Sequence, residues 1–172
     1  MPTNATASPR FTSLAGVGWS VRRRDANEPA LQLAATGGDA ALFDRMLARM
    51  RTETEPTAQQ RFRNTLTWFG DPSLVERTIA LAFSGEIRTQ DTPDLLGALL
   101  SNPQARPATW RAIKDRWIEI QQRLGVFLGL PNVVGSTSSF CDRQAREDIR
   151  RFFETHAVPS AERALGRALE SI

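Results

Sequence analysis

Histidine and cysteine are almost absent from this chain, with His156 and Cys141 as the single representatives among 172 residues. One cysteine excludes an intrachain disulfide, and a zinc site made of Cys and His needs three or four such ligands. A Ser-His-Asp or Cys-His site within the chain would have to use His156. The composition therefore argues against hydrolytic chemistry of its own. We interpret His156 as structural or exposed and Cys141 as a small buried apolar residue.

Long hydrophobic runs are also absent. No stretch approaches the roughly 20 consecutive apolar residues of a membrane-spanning helix, and the first 24 residues lack the apolar core of a secretory signal. We therefore expect a cytoplasmic protein without membrane contact. Four of the 22 basic residues lie in that N-terminal segment, so 18 basic residues face 19 acidic ones in the rest of the chain. This balance predicts no nucleic-acid partner.

The alternating pattern of a β-strand does not occur either, which predicts an all-α fold. Residues 1–27 are rich in small and hydroxyl side chains and are predicted to form a mobile arm, with Trp19 and Val21 as a candidate anchor. A helical domain is expected over residues 28–172, beginning with a short helix at residues 30–35.

Helix starts are marked by short polar side chains. Asp39, Asp71 and Asp142 are predicted N-caps, and Asp91 is expected to begin a helix in the same manner. A capping box is predicted at Thr57, with Gln60 three residues on.

The longest helix is expected to run to about Leu124, with Asn102-Pro103 either beginning or kinking it. Trp110 and Trp117 lie in its apolar stripe, which we interpret as core and not as a stacking face. The helices are short, amphipathic and tightly connected. Each pair leaves an apolar face uncovered, so the sequence predicts antiparallel helix pairs stacked in a HEAT-like α-α superhelix.

The connection Arg88-Thr89-Gln90-Asp91 is the most concentrated polar cluster between apolar helices. Arg88, Gln90 and Asp91 are candidate peptide-contacting residues, because repeat proteins display binding groups in such connections. Two other interpretations are open. Arg88 and Asp91 would cap the two flanking helices, or Asp91 would form a carboxylate dyad with Asp94, with Glu86 nearby.

Several ordered segments resemble the C-terminal helical domain of aminopeptidase N-like zinc metallopeptidases, over about residues 30–172. They are Leu74-Val75-Glu76-Arg77-Thr78, Ser84 to Asp91, Leu99-Leu100-Ser101-Asn102-Pro103, Trp110 to Trp117, Phe140-Cys141-Asp142, Phe152-Phe153 and Glu162 to Ile172. The resemblance implies a stack of helices that forms a bowl over the active site of a whole enzyme and limits peptide access.

The zinc-binding His-Glu-x-x-His and the substrate-binding Gly-x-Met-Glu-Asn segments of that family do not occur here, since the only histidine is followed by Ala157. No catalytic or metal residue is therefore carried over, and zinc is expected only in a full-length parent enzyme. The function implied is a non-catalytic domain that shapes peptide access, with a peptide or the catalytic portion of an aminopeptidase as partner. The alternative is a free-standing helical-repeat adaptor that binds another protein.

Gly16-Val17-Gly18-Trp19 resembles the family's entry into this domain, but the helix usually found between that point and Gly37-Gly38-Asp39 is shortened to residues 30–35. A missing helix would leave an apolar face uncovered. We therefore expect self-association, or docking onto a partner, through the N-terminal end.

Overall fold

The computed structural model describes residues 28–172, apart from the side chains of residues 28 and 126–128. All regular elements in this range are helical, which confirms the all-α prediction. The predicted arm, with Trp19 and Val21, lies outside the described residues. The α-helices are α1 (Glu28–Thr36), α2 (Ala40–Thr52), α3 (Pro56–Leu66), α4 (Pro72–Phe83), α5 (Thr92–Ser101), α6 (Arg106–Asp115), α7 (Trp117–Leu128), α8 (Leu130–Gly135), α9 (Arg143–Thr155) and α10 (Glu162–Ser171).

Three of the predicted N-caps are confirmed, because each aspartate accepts a backbone hydrogen bond from the first turn of its helix. Asp39 accepts from Leu42, Asp71 from Ser73 and Asp142 from Ala145, each over 2.8 Å. Each cap satisfies an N–H that the helix itself leaves without an acceptor.

The predicted capping box at Thr57 is wrong. Helix α3 begins at Pro56, and the carboxylate of Glu55 accepts from the N–H groups of Thr57 and Ala58 over 3.0 and 2.6 Å. Proline at the first helical position lacks an N–H and has a helical φ, so the residue before it becomes the cap.

The predicted long helix is wrong as well. Asn102-Pro103 precedes α6, which begins at Arg106, and the helix breaks at Arg116, where φ is −110° and ψ is 22°. The break directs α7 towards α8 and the 3₁₀ turn at Thr89–Asp91. The apolar stripe therefore continues across two helices instead of one.

Apart from α7, the helices of residues 28–172 form two rows. One row consists of α1, α3, α5, α8 and α10, in which each helix contacts the next. The other consists of α2, α4, α6 and α9, joined by the Arg77–Asp44 ion pair, by the contact of α4 with α6 and by the Lys114–Asp148 ion pair. Contacts of α2 with α3, α4 with α5 and α9 with α10 connect the rows. This arrangement is consistent with stacked helix pairs.

An aromatic cluster occupies the core between α6, α7 and α9. The ring centroids of Trp110 and Phe152 lie 5.3 Å apart, and those of Trp117 and Phe153 lie 5.4 Å apart, both in edge-to-face geometry. Both tryptophans are buried, which confirms their interpretation as core. Burying each such side chain contributes roughly 1.5–3 kcal/mol to folding.

The prediction that Cys141 is buried is wrong, since its side chain is exposed. The neighbouring Phe140 takes the buried position, and the chain then turns outward so that Asp142 can cap α9. Among residues 28–172, no helix has the length and apolar composition that crossing a bilayer requires.

Candidate functional site

The connection from α4 to α5 carries the predicted site and turns at Gly85, whose φ of 86° lies in the left-handed region. Ser84 Oγ accepts a hydrogen bond from the backbone N–H of Glu86 over 3.1 Å, and Ile87 is buried. The turn and this apolar anchor hold the following 3₁₀ turn, Thr89–Asp91, against the body of the domain.

A pocket of about 330 Å³ opens between this connection and the one from α2 to α3. Its size is within the range of pockets that bind small molecules. The charged side chains that line it are Glu53, Arg63, Glu86, Arg88 and Asp91.

Asp91 lies at the centre of the charged groups. Its Oδ2 accepts hydrogen bonds from Nη1 of Arg63 and from Nε of Arg88, each over 3.0 Å. The Arg63 side chain is 6% exposed and that of Asp91 14%, whereas that of Arg88 is 63% exposed. The buried pair is therefore a fixed part of the structure, and Arg88 is the accessible member.

The two glutamates of the pocket are paired with arginines of α2. Arg51 donates two hydrogen bonds to Glu86, over 2.8 and 2.9 Å, and these bonds lower the pKa of the Glu86 carboxyl. Arg49 lies 3.3 Å from Glu53. Each carboxylate that lines the pocket thus already has a guanidinium partner.

The structure brings together two of the three predicted site residues. Arg88 and Asp91 both line the pocket, whereas Gln90 is exposed and lies outside its lining. The predicted capping role of Asp91 is wrong, because its side chain makes no cap hydrogen bond to α5. Its carboxylate points instead to the two arginines.

The dyad of Asp91 and Asp94 does not form. Asp94 lines a different pocket, between α5, α8 and α10, while Asp91 and Glu86 are occupied by arginines. Over residues 28–172 there is also no group of three or more His, Cys, Asp and Glu side chains that could hold a metal ion. The carboxylates of Glu86 and Asp91 are therefore paired with arginines and not with each other.

Sequence reasoning missed Arg63, the buried partner of Asp91. Arg63 lies one turn before Leu66 on α3, on the side of the helix that faces the core. The available signal was a charged residue within an apolar stripe. Arginine is almost never fully buried unless it is paired, so Arg63 at this position indicated an acidic partner elsewhere in the chain. The partner, 28 residues further on, could not be identified from spacing.

His156 has a structural role. Its Nδ1 lies 2.9 Å from the carbonyl oxygen of Phe152, and its ring stacks on the Phe152 ring with centroids 4.3 Å apart. The side chain therefore closes the C-terminal end of α9, in agreement with the structural interpretation.

Two other depressions are larger than the pocket at Asp91. One of about 490 Å³ lies between α5, α8 and α10, and an open groove of about 940 Å³ lies between α6 and α9. Within the described part of the chain, Arg63 Nε and Trp117 Nε1 are the only buried side-chain nitrogen or oxygen atoms without a hydrogen-bond partner. Of these two residues, Arg63 is the one that lines one of the three depressions, and we take its pocket as the candidate functional site.

Comparison with known proteins places these features in a family context. A family model described as ERAP1-like C-terminal domain matches residues 23–172. A leucyl aminopeptidase of Saccharolobus solfataricus is 31% identical over 130 residues, which cover 74% of this chain and 16% of that protein.

Eukaryotic aminopeptidases match over similar lengths. Aminopeptidase M1-C of Oryza sativa is 27% identical over 131 residues, covering 76% of this chain and 15% of that protein. Endoplasmic reticulum aminopeptidase 1 of Rattus norvegicus is 27% identical over 116 residues, covering 66% of this chain and 12% of that protein. The chain thus spans less than a fifth of the length of these relatives.

Proposed function

Because this chain belongs to the family of ERAP1-like C-terminal domains, we propose that it is a non-catalytic helical domain that shapes peptide access to the active site of an aminopeptidase. The relatives carry the name aminopeptidase, and the chain corresponds to less than a fifth of their length. Catalysis would then belong to the part of such an enzyme that this chain does not contain, and zinc to that part as well.

The observation that carries the proposal is the chemistry of the pocket between the two helix connections. Its carboxylates are occupied by arginines, so they are poorly placed to act as general bases. Arg88 and Gln90, in contrast, are exposed at or beside the pocket and can offer hydrogen bonds to a peptide. The arrangement favours binding over reaction.

Peptide binding by the full 172-residue chain tests this role. We expect a fluorescent nonapeptide to bind with saturable anisotropy and to bind more weakly to the Arg88→Gln variant. Exposed charged contacts contribute up to about 1 kcal/mol, so the loss should be up to about fivefold. Arg111→Gln is the matched control, since Arg111 is exposed on α6, away from the pocket.

A hydrolysis assay on the same chain tests the non-catalytic assignment. Aminoacyl-nitroanilide substrates should not be turned over, with or without added zinc. Robust hydrolysis by the purified chain would overturn the assignment. Absence of peptide binding, together with equal behaviour of the Arg88→Gln and Arg111→Gln variants, would remove the access role.

The alternative function, a free-standing adaptor, is favoured by one observation at the N-terminal end. Leu33 on α1 is 78% exposed. α1 is the first described helix of its row, and it contacts α3. An exposed large apolar side chain at the end of a repeat stack is a candidate docking position for a partner or a second copy. Light scattering at high protein concentration tests self-association: a strictly monomeric chain argues against it.

A further inference from the structure

The first helix, α1, carries an exposed apolar stripe. Apart from Glu28, Gln32 and Thr36, all residues of α1 are apolar, a composition typical of a buried helix. One side of α1 contacts α3, and Ala35 is fully buried. The exposed side forms a stripe at helical spacing, which consists of Pro29, Ala30, Leu33 and Ala34.

The opposite end of the same row of helices is polar. α10 is the last helix of this row, and its exposed side carries Glu162, Arg163, Arg167 and Glu170. A stack of repeats needs such a polar outer face on its terminal helices to remain soluble. The apolar stripe of α1 therefore needs a cover, either from chain outside residues 28–172 or from a second molecule.

The stripe is too small to hold a stable dimer by itself. A helix of nine residues is about 13 Å long and about 10 Å wide, so its exposed side offers roughly a few hundred Å². A specific and stable interface buries about 800 Å² on each partner. A segment that is covalently joined to α1 needs much less area, because its effective concentration is in the millimolar range.

The segment before α1 has the length to reach the stripe. Residues 1–27 include the candidate anchor, Trp19 and Val21, and end directly at α1. Six residues, 22–27, separate Val21 from α1, and six extended residues span about 20 Å. This reach exceeds the length of α1. One tryptophan side chain buries about 150–250 Å², which is comparable with the area of the stripe.

We propose that Trp19 and Val21 dock on the apolar stripe of α1 and cap the N-terminal end of the helix stack. The docked segment occupies the surface that a partner or a second copy would otherwise use. Its release exposes an apolar face that can bind such a partner. This surface is separate from the proposed peptide contacts at Arg88, so neither proposal depends on the other.

Fluorine NMR of the full 172-residue chain, labelled with 5-fluorotryptophan, tests the docking. The chain contains four tryptophans, and the Trp19 signal is the one that disappears in Trp19→Phe. A soluble paramagnetic agent measures how accessible each ring is. We expect roughly threefold or more weaker relaxation of Trp19 in the chain than in an isolated peptide of residues 1–27, because docking removes much of the ring from water.

Two matched variants locate the docking surface. Leu33→Asp places a charge in the stripe, and we expect it to raise the relaxation of Trp19 to the value of the peptide. Ile118→Asp is the control, since Ile118 is 70% exposed on α7 and Leu33 is 78% exposed on α1. Both side chains lie at the surface, so we expect both variants to fold, and circular dichroism verifies their helical content.

Dilution distinguishes the chain's own segment from a second copy. Protection of Trp19 that is lost in Leu33→Asp, retained in Ile118→Asp and unchanged on dilution supports the proposal. The proposal is overturned if Trp19 is as accessible in the chain as in the peptide, or if the two variants behave alike. It is also overturned if the protection disappears on dilution, because a second copy would then be the cover.

Discussion

Arg63 donates a hydrogen bond from Nη1 to Oδ2 of Asp91 over 3.0 Å, which joins α3 to the 3₁₀ turn before α5. Both side chains are largely buried. Asp91 therefore holds the pocket together, while the exposed Arg88 is free to contact a ligand.

Removing Asp91 should strongly destabilise the domain. Asp91→Ala leaves the Arg63 charge buried without a counter-ion, and we expect the free energy of unfolding to fall by about 3–5 kcal/mol. Urea denaturation, monitored by circular dichroism, measures this change in the free energy of unfolding. Asp94→Ala is the control: Asp94 is exposed in the first turn of α5, and its loss should cost less than about 1 kcal/mol. Equal losses in the two variants would contradict the structural role of Asp91.

The side chain of Asn102, between α5 and α6, forms hydrogen bonds with the connection from α3 to α4. Asn102 should therefore also be important for stability. Its Nδ2 donates to the carbonyl oxygens of Thr67 and Phe69 over 2.8 and 3.2 Å, and the residue is buried. Asn102→Ala leaves these acceptors without donors, so we expect a loss of about 2 kcal/mol or more in chemical denaturation. Asn132→Ala, at an exposed position on α8, should change stability by less than about 0.5 kcal/mol. An Asn102→Ala variant as stable as the control would be inconsistent with these bonds.

Two glycines provide a matched test of backbone conformation. A Cβ at either Gly85 or Gly166 would have no atom within 4 Å, but Gly85 has φ of 86°, whereas Gly166 lies within α10. Gly85→Ala should therefore lower the free energy of unfolding by about 1–2 kcal/mol, and Gly166→Ala should raise it by roughly 0.5–1 kcal/mol. Thermal unfolding compares the two variants. Changes of the same sign would contradict the assignment of the loss at Gly85 to its positive φ.

Acid should weaken α9 through Glu147. Hydrogen bonds from Arg150 and Arg151 lower the pKa of Glu147 to about 2. Because this folded-state pKa lies below the value of about 4.5 for a free glutamate, the ion pairs stabilise the fold fully above about pH 4.5. This contribution is lost as the pH falls towards 2. A carbon-detected NMR titration of the carboxyl group measures the pKa, and Glu147→Gln should make the acid-induced loss of stability shallower. A midpoint near 4.5 would contradict the ion pairs.

The extent to which the site could be predicted depends on where each partner lies in the sequence. Arg88 and Asp91 were predicted because they are polar residues in a short connection between apolar helices. The role given to Asp91 failed, because the N-cap rule considers only neighbouring residues, whereas Arg63 approaches from another helix. Gln90, chosen by the same reasoning, lies beside the pocket and does not line it.

The sequence by itself determined the helical class, the apolar stripe that contains Trp110 and Trp117, and the caps at Asp39, Asp71 and Asp142, since these features depend on residues close to one another in the sequence. Its ordered segments also indicated the family. Only the tertiary structure decided the pairing of Arg63 with Asp91, the contacts of Asn102, the break at Arg116 and the exposure of Cys141. These features depend on which helices become neighbours, and packing settles that across separations of 28 residues for Arg63 and Asp91 and 35 for Asn102 and Thr67.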